Sequence, residues 1–164
     1  MQLGSFLSGT DAEPCVPDEV EFHVMKKIGT GRTRRLVRAV FLPVSEEERL
    51  ASRRDAINYL RTLPEYKEHD GVAPPIPSWL IIEEELYKFL QAALHDPDNL
   101  ACKFVDNTSY PAFRSGIVMA QVEWLLAKYK RYIKEQYPET LTPAEVAQLE
   151  EEALGKSEAD HGSP

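Results

Sequence analysis

Residues 115–137, SGIVMAQVEWLLAKYKRYIKEQY, decide the fold. Val118, Val122, Leu125, Tyr129 and Tyr132 recur at helical steps, which lays them along one stripe of an α-helix. Ile133 widens the stripe, Ile117, Trp124 and Leu126 lie to either side of it, and Lys128, Lys130, Arg131, Lys134 and Glu135 crowd the polar half. This helix is built to be packed against. None of its side chains suggests chemistry, so the stretch argues for binding or assembly more than for catalysis.

Toward the C-terminus, Tyr137-Pro138 stops the helix, and Leu141-Thr142-Pro143-Ala144-Glu145-Val146 then carries the signals of a new start. Thr142 is the cap, Pro143 sits in the first turn, Glu145 closes the capping box, and Leu141 can staple to Val146. A short acidic helix to residue 154 is expected, ended by Gly155, with residues 155–164 a disordered tail.

Toward the N-terminus, residues 100–114 are mixed in character, with Leu100, Phe104, Val105, Tyr110 and Phe113 anchored by side chains alone. Before them, Ser78 is placed to cap a helix whose broad apolar face is Trp79, Ile82, Leu86, Phe89, Leu90 and Ala93, ending near His95 at the turn Asp96-Pro97-Asp98-Asn99. Pro64, Pro74, Pro75 and Pro77 with Gly71 predict an extended, partly polyproline connector over 64–77. Ser45-Glu46-Glu47-Glu48 matches a capping box, opening a helix to about Arg61 with Leu50, Ile57 and Leu60 inward. Earlier still, Val20, Phe22 and Val24 alternate with polar residues, Gly29-Thr30-Gly31 suits a tight turn, and Leu36 to Leu42 is β-prone, which reads as a hairpin over about 19–42. Residues 1–18 hold glycine, serine, proline and acids without a base, the composition of a flexible leader.

The chain thus reads as α+β and mainly helical. An N-terminal β-hairpin packs on a small helical bundle over about 45–154, within a single domain over 19–154, between flexible termini. With 164 residues of which 43% are hydrophobic, it can bury one modest core. The formal charge of -8 argues against a general nucleic-acid binder. Cys15 and Cys102 give neither a disulfide framework nor metal-ligand spacing, in keeping with a reducing cytosol. No sustained apolar run of membrane-spanning length and no signal-like start are present, so a soluble, cytoplasmic protein is expected.

Arg32, Arg34, Arg35 and Arg38, with Lys26 and Lys27, form a basic run that could grip a polyanion. The alternative is a solvated strand whose charges keep an edge from pairing, and it carries more weight because no aromatic side chain is interleaved to stack on bases. Docking onto an acidic partner, or onto the chain's own acidic leader, is a third reading. Gly29-Thr30-Gly31 lacks the third glycine of a phosphate-binding fingerprint. His23, His69, His95 and His161 are scattered, Cys102 reads as a small buried hydrophobe, and Glu83-Glu84-Glu85 and Glu150-Glu151-Glu152 read as wet helix faces. No catalytic residue, metal ligand or cofactor site is expected, and the chain is read as no enzyme. Trp124 lies off the main stripe and suggests a second apolar surface for a partner helix, although a helix of the same chain could equally cover it.

RTRRLVRAVFLPVSEEERLASRRDA, followed by a helical body ending in GIVMAQVEWLLAKYKRYIKEQYPETLTPAEVAQLEEEA, resembles the tail assembly chaperones of long-tailed bacteriophages over roughly residues 19–154. Gln121, Leu125, Tyr129, Gln136, Tyr137 and Pro138 are the best-matching block, while the proline-rich connector departs from the family pattern. The resemblance implies a small, mainly helical protein of the host cytoplasm. Its role in viral morphogenesis would be to bind the tape measure protein, keep its apolar helices soluble and help recruit tail tube subunits. It implies no catalytic residues. The partner-binding candidates are Trp124, Ile117, Gln121, Leu125, Tyr129, Tyr132 and Trp79, and a homo-oligomer is left open. Two other readings stand beside it: a nucleic-acid-associated accessory factor using the basic hairpin, and a small structural component of a virion or injection particle.

Overall fold

The computed structural model describes residues 13–104 and 110–160. Strands β1 (Asp18–Ile28) and β2 (Gly31–Phe41) form an antiparallel hairpin in unbroken register from Asp18 opposite Phe41 to Ile28 opposite Gly31. Gly29 makes the turn at φ +60, a conformation open to glycine at little cost. Alternation then decides what is buried. Val20 and Phe22 of β1 and Ala39 and Phe41 of β2 share the core face, with Val24 and Val37 half-buried farther along.

Helix α1 (Glu46–Leu60) starts at the expected capping box, in which the Glu48 amide donates to Ser45 Oγ at 3.2 Å and the Ser45 amide to Glu48 Oε2 at 2.9 Å. Its inward side is Ser52, Ala56 and Leu60, and the expected Leu50 faces solvent. The small residues Ser52 and Ala56 bring α1 close to α2 (Ser78–Ala93), an approach a Leu at either position would block. Helix α2 begins behind Pro77, not behind a capping Ser78, and buries Glu84, Tyr87, Leu90 and Ala93. The connector between the two helices is folded back, not extended. Arg61 donates to the carbonyls of Tyr66 and Pro74, and His69 bridges Val72 around Asp70 (φ 51) and Gly71 (φ 75). An Asp-Gly pair at positive φ is the chemistry of a tight β-turn.

Directly after α2 the chain makes strand β3 (Leu94–Asp96), a Pro97-Asp98 turn tightened by the Asp98 amide donating to Asp96 Oδ1 at 2.8 Å, and strand β4 (Asn99–Lys103). These extend the hairpin into a four-stranded antiparallel sheet in the order β1-β2-β3-β4. Val105, one of the expected core anchors, lies outside the described residues.

The helix expected over residues 115–137 begins later, and a separate short helix precedes it within the stretch read as irregular. Helix α3 (Tyr110–Gly116) ends against β1, Ile117 turns into the core, and Val118 takes extended backbone (φ -87, ψ 149) as the start of α4 (Met119–Gln136). A short 3-10 turn (Pro138–Thr140) then leads to α5 (Pro143–Asp160), whose Thr142–Glu145 capping box forms as expected. Gly155 does not end α5, which continues past it to Asp160.

One core joins sheet and helices: Val20, Phe22, Ala39 and Phe41 meet Tyr87, Leu90 and Ala93 of α2, Phe113 and Ile117, and Val122, Leu125, Tyr129 and Tyr132 of α4. Phe41 is the hinge of the aromatic packing, edge-on to Tyr129 at 5.7 Å and stacked on Tyr132 at 6.1 Å. Both phenols reach out of the core to a backbone partner. The Val44 amide donates to Tyr129 Oη at 2.8 Å, and Tyr132 Oη donates to the Val16 carbonyl at 2.9 Å. That second bond, with the Val16 amide donating to Gln136 Oε1 at 3.2 Å, lays the end of the leader along α4. Burial, then the nearby Cys15 and Tyr129, push the Tyr132 phenol up to about 12. With 53% helix and 23% strand, the fold is α+β and mainly helical.

Candidate partner-binding surface

The helical stripe of α4 is spent on the core. Leu125, Tyr129, Tyr132 and Ile117 are buried and serve the core first, with Tyr129 and Tyr132 showing only an edge at the surface. Gln121 is also engaged, its amide pairing with both the amide and the carbonyl of His23. That pairing covers part of the free edge of β1, which would otherwise present unpaired backbone groups to other chains. Trp124 and Trp79 remain on the surface, at 44% and 65% exposure.

Trp124 lines one of two neighbouring shallow depressions on α4. One, of about 450 Å³, is lined by Asp18, Trp124, Ala127, Lys128, Arg131, Tyr132 and Glu135, with the Lys128 ammonium 4.8 Å from the indole. The other, of about 280 Å³, lies between α4 and α5 and puts Ala127, Arg131 and Glu135 opposite Leu141, Glu145, Gln148, Leu149 and Glu152. They share the ridge Ala127–Arg131–Glu135, so Trp124 and Leu149 flank one continuous strip of α4. Helix α5 is tied to α4 there by the Lys134–Glu145 ion pair, and Leu149 stays exposed beside it. The strip thus sets Trp124, Ala127, Leu141 and Leu149 among many charged side chains, Arg131 and Glu135 of the ridge included, a surface suited to an amphipathic helix of mixed polarity.

Two polar clusters were not foreseen from the sequence. Glu84, read as part of a wet face, is 1% exposed. Its carboxylate accepts from Tyr110 Oη at 2.5 Å and from Arg114 Nε at 2.9 Å, and the Arg114 guanidinium lies over the Tyr87 ring at 3.8 Å. The Lys88 ammonium caps the Tyr110 ring at 3.4 Å. Burial pushes the Tyr110 phenol up and the Lys88 ammonium down; for Arg114, burial works against the charge, but the bond to Glu84 leaves its pKa raised. The cluster ties α3 to α2. A signal existed: Glu84 lies in phase with Tyr87 and Leu90, on the buried stripe of its own helix.

In the second cluster, Lys103 Nζ reaches Glu48 Oε1 at 3.0 Å, the Ala92 carbonyl at 2.8 Å and His95 Nε2 at 3.3 Å, while His95 Nδ1 meets the Leu100 carbonyl at 2.8 Å. With Nδ1 donating to a carbonyl and Nε2 accepting from an ammonium, His95 is neutral. Burial, and secondarily Lys103, hold its pKa below the ordinary value. A cation at the last carbonyls of α2 also complements the helix dipole. Both clusters read as stitching between elements. His23 sits on β1 and Cys102 Sγ accepts from the side-chain Nδ2 of Asn99 at 3.2 Å, each apart from the other. Among the described residues, no three His, Cys, Asp or Glu side chains stand close enough to hold a metal ion.

Of the basic candidates, Arg38 is paired with Glu19 at 3.0 Å and Glu21 at 4.0 Å across the hairpin. Arg32, Arg34 and Arg35 stand exposed at its distal end. Among the described residues no helix is long and apolar enough to cross a membrane.

No protein-family model, curated protein or solved structure matches the chain.

Proposed function

We propose that this protein is a non-enzymatic assembly chaperone that lends the strip between Trp124 and α5 to an amphipathic helix of another polypeptide. In the tail-assembly reading suggested by the sequence, that polypeptide is the tape measure protein, with tail tube subunits recruited around it in the host cytoplasm. The observation that carries the reading is that the exposed Trp124 and the exposed Leu149 line neighbouring depressions that share Ala127, Arg131 and Glu135. Large aromatic side chains in such a setting are the usual energetic centre of a helix-in-groove contact. The charges of the strip, Lys128, Lys130, Arg131, Lys134 and Glu135, give a modest, partly polar interface, which suits a chaperone that assembly must later displace.

The test is co-expression with a helical tape measure segment. The segment should stay soluble and co-purify with the wild-type chain, and Trp124→Asp should abolish both effects while leaving the chaperone folded. Recovery of the protein from purified mature particles would instead support the structural-component reading.

A further inference from the structure

The distal hairpin and the outer side of α5 complement each other in charge and apolarity. Lys26, Lys27, Arg32, Arg34 and Arg35 are all exposed, and among the described residues none of them pairs with a carboxylate, whereas Arg38 nearer the body has two. The register puts Lys27 directly opposite Arg32, two like charges on one face of the ribbon, an arrangement that destabilises a hairpin standing alone. The strand period places Met25, Lys27, Arg32, Arg34 and Leu36 together on the face turned away from the core, and Leu36 is 50% exposed. The face is therefore basic with apolar patches.

On α5, the residues lining the depression against α4 are Glu145, Gln148, Leu149 and Glu152. At 3.6 residues per turn, the side turned away carries Val146, Glu150 and Leu154 in line, with Glu151 beside them. Val146 and Leu154 are exposed, so this face is acidic with apolar patches and has no partner among the described residues.

We propose that the outer face of the distal hairpin docks onto the outer face of α5 from a second copy of this chain. Charge complementarity names the occupant: in a chain of formal charge -8, the hairpin end is a concentrated patch of the opposite sign, and copies are attracted to it through their acidic helix. A nucleic acid fits less well, because no aromatic side chain lies between Met25 and Leu36 to stack on a base and the acidic body repels phosphate. The two docking faces differ, so the contact either closes reciprocally in a two-fold dimer, hairpin to helix and helix to hairpin, or runs head to tail along a chain of copies. This association uses the side of α5 away from Trp124, and goes beyond the chaperone reading without depending on it.

Sedimentation of the full chain tests it. Self-association should rise with protein concentration at about 0.05 M salt and weaken about tenfold or more at about 0.5 M, where screening shortens to a few ångströms. The variant carrying Lys27→Glu, Arg32→Glu and Arg34→Glu, and separately the variant carrying Glu150→Lys and Glu151→Lys, should each lose association by about tenfold or more, and an equimolar mixture of the two should restore it. All five positions are exposed, and circular dichroism checks that both variants are folded. A monomer under every condition, association that survives reversal of the hairpin charges, or a mixture that fails to rescue overturns the proposal. Hairpin-dependent binding of duplex DNA or RNA without self-association overturns it in favour of a nucleic-acid occupant.

Discussion

Gly116 rests against Val24 with no room for a β-carbon between them: a Cβ at Gly116 would overlap the Val24 Cγ1 methyl and come within 2.9 Å of the Met25 carbonyl oxygen. This contact lets α3 end on β1, directly before Ile117 and Val118 leave the helix. Gly116→Ala should therefore lower stability by about 1–3 kcal/mol through overpacking. Urea unfolding reads the change; a value within error of wild type would mean that the approach is not tight.

Gly155 is the opposite case. It lies inside α5 with nothing within 4 Å of a Cβ, so Gly155→Ala should gain helix content and stabilise α5 by about 1 kcal/mol. Were Gly155 a terminating residue, the same change would lower far-UV helicity.

The Glu84 cluster should show the asymmetry of buried ion pairs. Glu84→Ala strands Arg114 and Tyr110 and should cost about 3–5 kcal/mol, whereas Glu84→Leu combined with Arg114→Met should recover much of that loss. A double variant no more stable than Glu84→Ala would show that the pair is worth more than its desolvation.

Acidification should weaken the fold through His95 first. Its folded pKa lies below the ordinary 6.5, so the unfolded chain binds the proton more readily, and stability falls as pH drops from 6.5 toward the folded value. Glu48 acts at lower pH. Burial opposes its charge, but hydrogen bonds from Ser45 and Lys103 depress its pKa below 4.5, so the stability it contributes is present above 4.5 and lost as pH falls through the depressed value. Thermal melts across this range should show the upper loss shrinking in His95→Gln and the lower one remaining; an unchanged profile in His95→Gln would remove His95 as its cause.

Relieving the like-charge opposition at the hairpin end should stabilise the free protein. Lys27→Glu places a carboxylate opposite Arg32 and should raise stability by about 0.2–1 kcal/mol at low salt, with the gain fading as salt is added. Melts at two ionic strengths check both halves of this expectation.

Much of the fold was legible where local chemistry and periodicity agreed. The turn at Gly29, the capping boxes at Ser45 and Thr142, and the stripe Val122–Leu125–Tyr129–Tyr132 each carry their own signal and appear as read. What escaped depends on contacts distant in sequence. The break at Ile117–Val118 lies beside the close approach of Gly116 to β1, a contact distant in sequence, and three-residue β3 is too short to show a period. The folded connector did carry a signal in Asp70-Gly71, but the prolines around it pointed to extension. For the candidate site, the same stripe that identified α4 as central placed Leu125, Tyr129 and Tyr132 in the core, and only side chains off the stripe, Trp124 foremost, were left for a partner. A helix shows its apolar residues in sequence but not which of them its own fold consumes.

In the proposed reading Trp124 serves binding and Tyr129 serves folding, although the two lie little more than a turn apart on α4. The most direct measurement is the affinity of each variant for a soluble tape measure helix, alongside its thermal melt. Trp124→Ala should melt close to wild type and bind with a loss of about 2 kcal/mol or more, whereas Tyr129→Ala should lose about 3–5 kcal/mol of stability. Trp124→Ala binding as tightly as wild type, or unfolding as readily as Tyr129→Ala, would contradict the claim.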